Sequence, residues 1–453
     1  MAKKAEFASK IGLIAATVGS AVGLGNVWRF PAEAQANGGA AFLIVYIVCV
    51  ALLGIPVMLA EFTLGRAGRS DAIGAFVNLR SSKGWLGVGA IAILASYMIL
   101  WFYMVVAGWT FEYFWQSVTG VLYDPVPGVT TLEGQFSARM QQFVCEPWNP
   151  LINTFAVLIL NILVLLAGVQ KGIERLSNFL MPLLFIILLI FACVALTLPA
   201  AGEGLKYFFH PDFTKITPSV VLNALGQAFF SLSLGMGVLI TYSAYFPKDS
   251  KLVNTAVTVS ALDLLVSIMM GIIIFPAVMS FNLQGEELHG ATLVFVTLPE
   301  VFAEIPMSSF WSALFFLLLF VAAITSTISI AEVTVAMFQD RCKLSRTKAV
   351  LAAIIPLFFF SAICSLSQGP LSDIKLFGMT IFDFVDYFAS NILLPVGSLL
   401  LCIYMGWFSP KNLLKNELTN NGELHSRWVG VVSFIIRYLA PVLIFLVLIS
   451  PLL

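Results

Sequence analysis

Charge is what this sequence has least of. Only 11% of its 453 residues are Asp, Glu, Lys or Arg, where a soluble domain carries about a quarter. The 24 basic and 24 acidic residues cancel, which leaves no basic surface for nucleic acid and no charged tail. His210, His289 and His425 are the whole histidine set. All three fall in polar connections, so a helix-borne HExxH zinc site or a bis-histidine haem is excluded. The six cysteines form no CxxC pair. Cys49, Cys193, Cys364 and Cys402 fall in apolar runs, where buried thiols are ordinary, and Cys145 and Cys342 fall on opposite sides of the expected bilayer, so no disulfide framework is expected. No lysine lies within an apolar span, which argues against a retinal Schiff base.

Apolar residues are abundant instead, at 60%, and they gather in runs of about 18 or more, the length at which a helix crosses a hydrocarbon core. Eleven spans are read: 11–36, 40–65, 86–118, 151–168, 177–199, 219–246, 254–281, 307–337, 349–366, 381–407 and 429–451. The first is too long for a cleaved signal peptide, lacks an A-x-A site in the right place and is interrupted by GSAVGLGN. The expected fold class is therefore an all-α polytopic membrane protein of 11 transmembrane helices. With the N-terminus in the cytoplasm, cytoplasmic segments hold 18 of the 24 basic residues, Lys3 and Lys4 through Lys415 and Arg427. Only Arg139, Lys206, Lys215 and Lys375 fall outside, and Arg29 and Arg437 lie within spans. That bias sets the orientation and puts the C-terminus outside. The expected location is the plasma membrane, with no soluble domain.

Two spans are interrupted by glycine and polar residues: Gly19-Ser20-Ala21-Val22-Gly23-Leu24-Gly25-Asn26 in the first, and Ser231-Leu232-Ser233-Leu234-Gly235-Met236-Gly237 in the sixth. Small residues at such spacing can simply pack helices closely. Breaks in the first and the sixth span together, however, occupy matching places in two five-span halves, the pattern of a transporter with an inverted repeat. The halves are residues 8–199 and 219–408 of one membrane domain, 1–453, with 429–453 a peripheral helix. Unwound backbone at membrane depth must face protein or a wet, ion-holding cavity. Glu61, Glu112, Asp263, Glu332, Asp383, Asp386, Arg29 and Arg437 also interrupt apolar runs, where an unpaired charge costs a few kcal/mol or more. Asp263, in VSALDLLVSIMMG, most naturally partners a cation.

These residues resemble the neurotransmitter:sodium symporter family, in its bacterial leucine-transporter-like branch. GSAVGLGNVWRFP (19–31) with ANGGAAF (36–42) resembles its first-helix signature, QAFFSLSLGMG (227–237) its broken sixth helix, and AAITSTISI (322–330) its eighth. GIPVMLAEFTLGR (54–66) and KGIERLSNFLMP (171–182) match as well. The resemblance implies a leucine-transporter-type fold and two sodium ions, with no organic cofactor. It implies a first sodium site from the Ala21 carbonyl, the Asn26 side-chain oxygen, Ser231 and Asp263. It implies a second from the carbonyls of Gly19, Val22 and Ala322 with the hydroxyls of Thr325 and Ser326. Sodium is a hard cation that prefers such oxygens.

For the substrate, the resemblance implies that the free amides near Leu24 and Gly25 and the Tyr103 hydroxyl receive a carboxylate. The carbonyls of Ala21, Phe230 and Ser231, with the Ser233 hydroxyl, receive an amine. Ile99, Ser20, Phe230, Met236, Ser326 and Ile330 bound the side chain. Gly23 stands where monoamine carriers of the family have an aspartate, so the substrate is expected to bring its own carboxylate. The expectation is a neutral hydrophobic L-amino acid, aliphatic or aromatic, leucine and tryptophan included. Asp263, where the family usually has asparagine, lies one turn from Ser267 and near the places of Tyr46 and Gln227. A fixed carboxylate there predicts sodium coupling without chloride. By the same resemblance Arg29 and Asp386 gate the outer side, and Lys4 and Asp340, near Tyr245, the inner side. Pro182 is a candidate weak point in the fifth span. The alternative is an amino-acid sensor with the same sites and no flux. An enzyme is not expected, since no histidine or GxSxG motif supplies a nucleophile and base.

Overall fold

The computed structural model describes residues 6–281, 290–424 and 428–449. Nine helices among them are long and apolar enough to cross a membrane: Ala40–Gly68, Lys83–Thr119, Trp148–Leu166, Val169–Ala195, Leu252–Ser280, Ser308–Arg341, Arg346–Leu366, Ile381–Phe408 and Val429–Ile449. These are spans 2 to 5 and 7 to 11. Spans 1 and 6 are the two that the sequence marks as interrupted, and both are broken. The protein is the all-helical polytopic membrane protein that the apolar runs imply.

Span 1 is two helices, Lys10–Ala21 and Gly25–Ala36, bent by 54°. Ser9 caps the first by accepting from the Gly12 amide, and Val22 ends it in an extended conformation (ψ 114°). Span 6 runs from Pro218 to Ser231, started by Thr217 accepting from the Val220 amide with proline in the first turn. It resumes only at Val238–Ser243, six residues long. Between the two, Ser233, Gly235 and Gly237 have φ of 54°, 79° and 71°, a left-handed run that no α-helix contains. The span 219–246 is thus two helices, parted at the Ser231–Gly237 stretch where the sequence places the interruption.

Span 5 also begins earlier than expected. Gly168, at φ 84°, ends span 4, and a π-helical turn over Val169–Glu174 runs directly into Arg175–Ala195. Lys171–Arg175 therefore belong to the start of a helix and not to a loop. Pro182 sits inside that helix, which continues through it.

Spans 3 and 8 form the scaffold. Each contains a 34-residue helix, about 50 Å at 1.5 Å per residue, and 72% and 78% of their most apolar windows are buried inside the protein. Span 11 is the opposite, at 28%, and packs on span 10 at the periphery. Broken span 1 lies against spans 5, 7 and 8, so both breaks are held in the middle of the bundle.

Candidate ion and substrate site

The break in span 1 places Asn26 against spans 6 and 7. Its amide nitrogen stands 2.9 Å from Ser231 Oγ, 3.2 Å from the Asp263 carbonyl oxygen, 2.8 Å from Asp263 Oδ1 and 3.0 Å from Ser267 Oγ. Ser231 donates to Asp263 Oδ2 at 2.7 Å, and the Tyr46 hydroxyl reaches the same oxygen at 3.4 Å. An amide nitrogen has two hydrogens, so this one is offered more acceptors than it can serve. Asn26, Ser231 and Asp263 are all essentially inaccessible. A dry cluster richer in oxygen than in hydrogen suits a hard cation. The amide faces it nitrogen-first, while Oδ1 accepts from the Gly23 amide at 3.1 Å. The side-chain oxygen named from the sequence thus points to the Gly23 backbone, and a half-turn of the amide exchanges the two atoms. Ala21 is the last helical residue before the break. Gln227 donates to the Gly25 carbonyl at 2.9 Å.

A second group of oxygens lies where the first half of span 1 meets span 8. Ser326 Oγ is 3.5 Å from the Gly19 carbonyl oxygen and 3.3 Å from that of Val22. Thr325 Oγ1 donates back to the carbonyls of Val321 at 3.1 Å and Ala322 at 3.0 Å. The five residues of the second expected site therefore converge, although the Thr325 hydroxyl is occupied by its own helix.

Above these groups, the Leu24 amide donates to the Tyr103 hydroxyl at 3.2 Å. Gly23 leaves no slack, since a β-carbon there would stand 2.8 Å from both Tyr103 Oη and Ser326 Oγ. Ser233 donates to the Ser20 carbonyl at 2.8 Å and so ties the two breaks together. Leu24, Tyr103 and Phe230 line a cavity of about 350 Å³, whose wall continues through Arg29, Glu33, Phe102 and Asp386. Ile99, Ser20, Met236, Ser326 and Ile330 are buried beneath it, each at 3% exposure or less.

The expected gates are arranged differently from one another. Arg29 and Asp386 share the cavity wall, but the ion pair of Arg29 goes to Glu33 at 3.8 Å, and its guanidinium lies 4.8 Å above the Phe230 ring. Asp386 accepts from Ser390 at 2.8 Å. Lys4 lies outside the described residues. Asp340 accepts from the Asp71 amide at 2.8 Å and from Ser70 Oγ at 3.1 Å. Tyr245 donates to Glu332 at 2.9 Å.

That last contact belongs to a network that sequence reasoning left unassigned. Arg346 holds Glu332 with two hydrogen bonds of 2.7 Å and donates to the Leu165 carbonyl at 2.8 Å. The chain before span 1 is fastened to this end of the bundle. Phe7 donates to the Tyr245 carbonyl at 3.1 Å, and Glu174 accepts from the amides of Ala8 and Ser9 at 2.8 and 3.0 Å. Arg66 pairs with Glu417. Glu332 was visible as a charge in an apolar run; its partner, beyond the turn into span 9, carried no such signal. Elsewhere, Glu61 accepts from the Gly235 amide in the span 6 break at 2.7 Å, and Glu112 accepts from Asn153 at 2.7 Å.

Comparison with known proteins identifies the family. The chain matches the model of the "Sodium:neurotransmitter symporter family" over residues 4–125 and 137–453. It is 35% identical to the "Uncharacterized sodium-dependent transporter YhdH" of Bacillus subtilis, over 99% of this chain and 98% of that protein. It is 33% identical to an "Uncharacterized sodium-dependent transporter" of Haemophilus influenzae, over 98% of each. Among solved structures, that of MhsT in complex with L-phenylalanine superposes with a TM-score of 0.89 at 40% identity, covering 99% of this chain and 100% of that one. With broken spans 1 and 6 crossing at a buried oxygen cluster, and these relatives matched end to end, the chain is a sodium-dependent transporter and belongs to the sodium:neurotransmitter symporter family.

Proposed function

We propose that the protein imports neutral hydrophobic L-amino acids, aliphatic and aromatic, in symport with two sodium ions and without chloride. The observation that carries this reading is the cluster of Asn26, Ser231 and Asp263, where four oxygens surround one amide nitrogen at 2.8 to 3.2 Å. A sodium ion there would be held by oxygens of spans 1, 6 and 7 at once, so binding it would fix both breaks relative to span 7. The second ion would lie among Gly19, Val22, Ala322, Thr325 and Ser326. Asp263 would supply a fixed negative charge beside Ser267 and Tyr46 and remove the need for a mobile anion.

The substrate carboxylate would take the Leu24 and Gly25 amides at the start of a half-helix, which attracts anions, together with the Tyr103 hydroxyl. Its amine would face the carbonyls of Ala21, Phe230 and Ser231. The buried apolar surfaces of Ile99, Met236 and Ile330 suit a hydrophobic side chain, and the similar protein MhsT was crystallised with L-phenylalanine. In alternating access the cavity above Phe230 is the outer entrance. The contacts of Phe7, Tyr245 and Asp340 at the other end are the inner closure, which Lys4 would complete. Residues 8–199 and 219–408 act as the two inverted repeats, with the N-terminus cytoplasmic and the C-terminus extracellular. Each charge carried inward across 100 mV contributes about 2.3 kcal/mol, enough for two ions to drive steep accumulation.

Uptake of radiolabelled tryptophan into proteoliposomes, with an inward sodium gradient against matched potassium, tests the reading. Sodium-dependent accumulation above equilibrium is expected. Sodium-dependent binding without flux would identify a sensor, and the absence of both in folded protein would overturn the amino-acid assignment.

A further inference from the structure

Arg437 stands in span 11, the least buried of the long spans, and its guanidinium is held by aromatic rings. The guanidinium carbon is 4.0 Å from the centre of the Trp407 ring and 5.6 Å from that of Tyr438. Trp407 donates its indole N–H to the Arg437 carbonyl at 3.1 Å. Gly406 allows this approach, since a β-carbon there would stand 2.8 Å from Arg437 Cα. Trp407 and Tyr438 remain 52% and 46% exposed, so the group opens outwards from the bundle. Among the described residues no carboxylate forms an ion pair with Arg437, and its Nε is buried without a partner.

The depth of the group follows from the two helices. Arg437 is eight residues into a helix that begins at Val429, about 12 Å along it. Side chains on a helix lean towards its N-terminus, which carries this guanidinium back towards the end of the span. Trp407, over which it lies, is the next-to-last residue of span 10. An arginine with a tryptophan and a tyrosine at the end of two lipid-facing helices lies at the boundary between hydrocarbon and headgroups.

From this geometry we infer that Arg437, Trp407 and Tyr438 form a binding site for the phosphate of an anionic phospholipid. The rings cover a face of the guanidinium, and with Nε buried it is the two terminal nitrogens that face an anion. That planar fork matches phosphate oxygens in a way an ammonium does not. A lipid, and not free phosphate, is the expected source, because the site opens on the side of the helices that lipid covers. An anionic headgroup is favoured over a zwitterionic one because no protein carboxylate neutralises the arginine, and a choline group would bring a second cation.

The purified full chain in detergent tests this by thermal melting with phosphatidylglycerol, phosphatidylcholine or inorganic phosphate. Phosphatidylglycerol is expected to raise Tm by a few degrees more than phosphatidylcholine does. That excess should fall by at least half in Arg437→Gln and persist in Lys411→Gln, a cation of the neighbouring connection. An excess unchanged in Arg437→Gln overturns the site, and an equal shift from inorganic phosphate overturns the lipid as its ligand. If Arg437→Gln fails to fold, brominated lipids read proximity in the otherwise native chain. Brominated phosphatidylglycerol should quench the wild type more than Trp407→Phe, and more than brominated phosphatidylcholine does. Equal quenching by the two lipids overturns the proposal.

Discussion

Arg29 pairs with Glu33, one turn along its own half-helix at 3.8 Å, and not with Asp386 on the opposite wall of the cavity. Glu33 is itself held. Asn37 donates to its carboxylate at 3.1 Å, and Asn223 of span 6 donates to Asn37 at 2.9 Å. The arginine therefore has two carboxylates to choose from, one on each side of the outer entrance, and the choice sets whether that entrance is spanned.

Glu33→Gln should favour the closed entrance. An exposed ion pair is worth about 0.2–1 kcal/mol, so amino-acid affinity at equilibrium should rise by up to about fivefold. The rise should vanish when Asp386→Asn is added. Unchanged affinity in the single variant would show that Glu33 does not compete.

Asp263→Asn removes the carboxylate that Asn26 and Ser231 contact. Hydrogen bonds to charged groups are worth about 1.5–3 kcal/mol, so sodium affinity should fall by roughly ten- to a hundredfold. Wild-type uptake should be indifferent to replacement of chloride by gluconate, whereas residual uptake by the variant should be higher in chloride. Paired uptake assays in the two salts measure both effects.

Gly23→Ala places a β-carbon 2.8 Å from the Tyr103 and Ser326 oxygens, closer than nonbonded carbon and oxygen tolerate. Overpacking costs about 1–3 kcal/mol, and it falls on the tyrosine proposed to bind the substrate. Leucine binding by equilibrium dialysis should weaken by at least tenfold. Adding Tyr103→Phe, which removes one of the two obstructing atoms, should restore the melting temperature but not the affinity.

Asp71, in the connection between spans 2 and 3, caps the helix Ala72–Asn78. Burial, with the nearby Asp340 carboxylate, holds its carboxyl above the usual carboxylate range, against the lowering effect of the Gly74 and Ile73 amides and Arg341. A carboxyl raised by folding penalises the folded state when ionised, and the penalty disappears below the unfolded pKa. Asparagine caps helices as well as aspartate does. Asp71→Asn should therefore raise Tm at neutral pH, and the gain should fade as pH drops through the raised value towards the ordinary one near 4. A gain that grows on acidification would contradict the sign of this shift.

Much of the architecture was legible because it is local. A run of apolar residues fixes where a helix crosses the bilayer, and a glycine-rich polar stretch marks where it fails, so both breaks were located to within a few residues. The length of the second half of span 6 was not legible. Val238 to Phe246 reads as apolar, yet the helix stops at Ser243. The start of span 5 was hidden for the opposite reason, because Lys171 and Arg175 look like a loop but sit in helical turns.

By itself, then, the sequence determined the class of protein, the number and order of spans, and the two places where backbone must be unwound. The quoted motifs also named the residues that converge there, Asn26 with Ser231 and Asp263, and Gly19 with Ser326. Only the tertiary structure decided which partner each polar group takes. It turned the Asn26 amide nitrogen-first to the cluster, gave Arg29 to Glu33, joined Glu332 to Arg346 and laid Arg437 over Trp407. Hydropathy is a property of one segment. The choice of a hydrogen-bond partner in a dry interior depends on atoms that distant segments bring within about 3 Å, and that distance is set only when the helices pack.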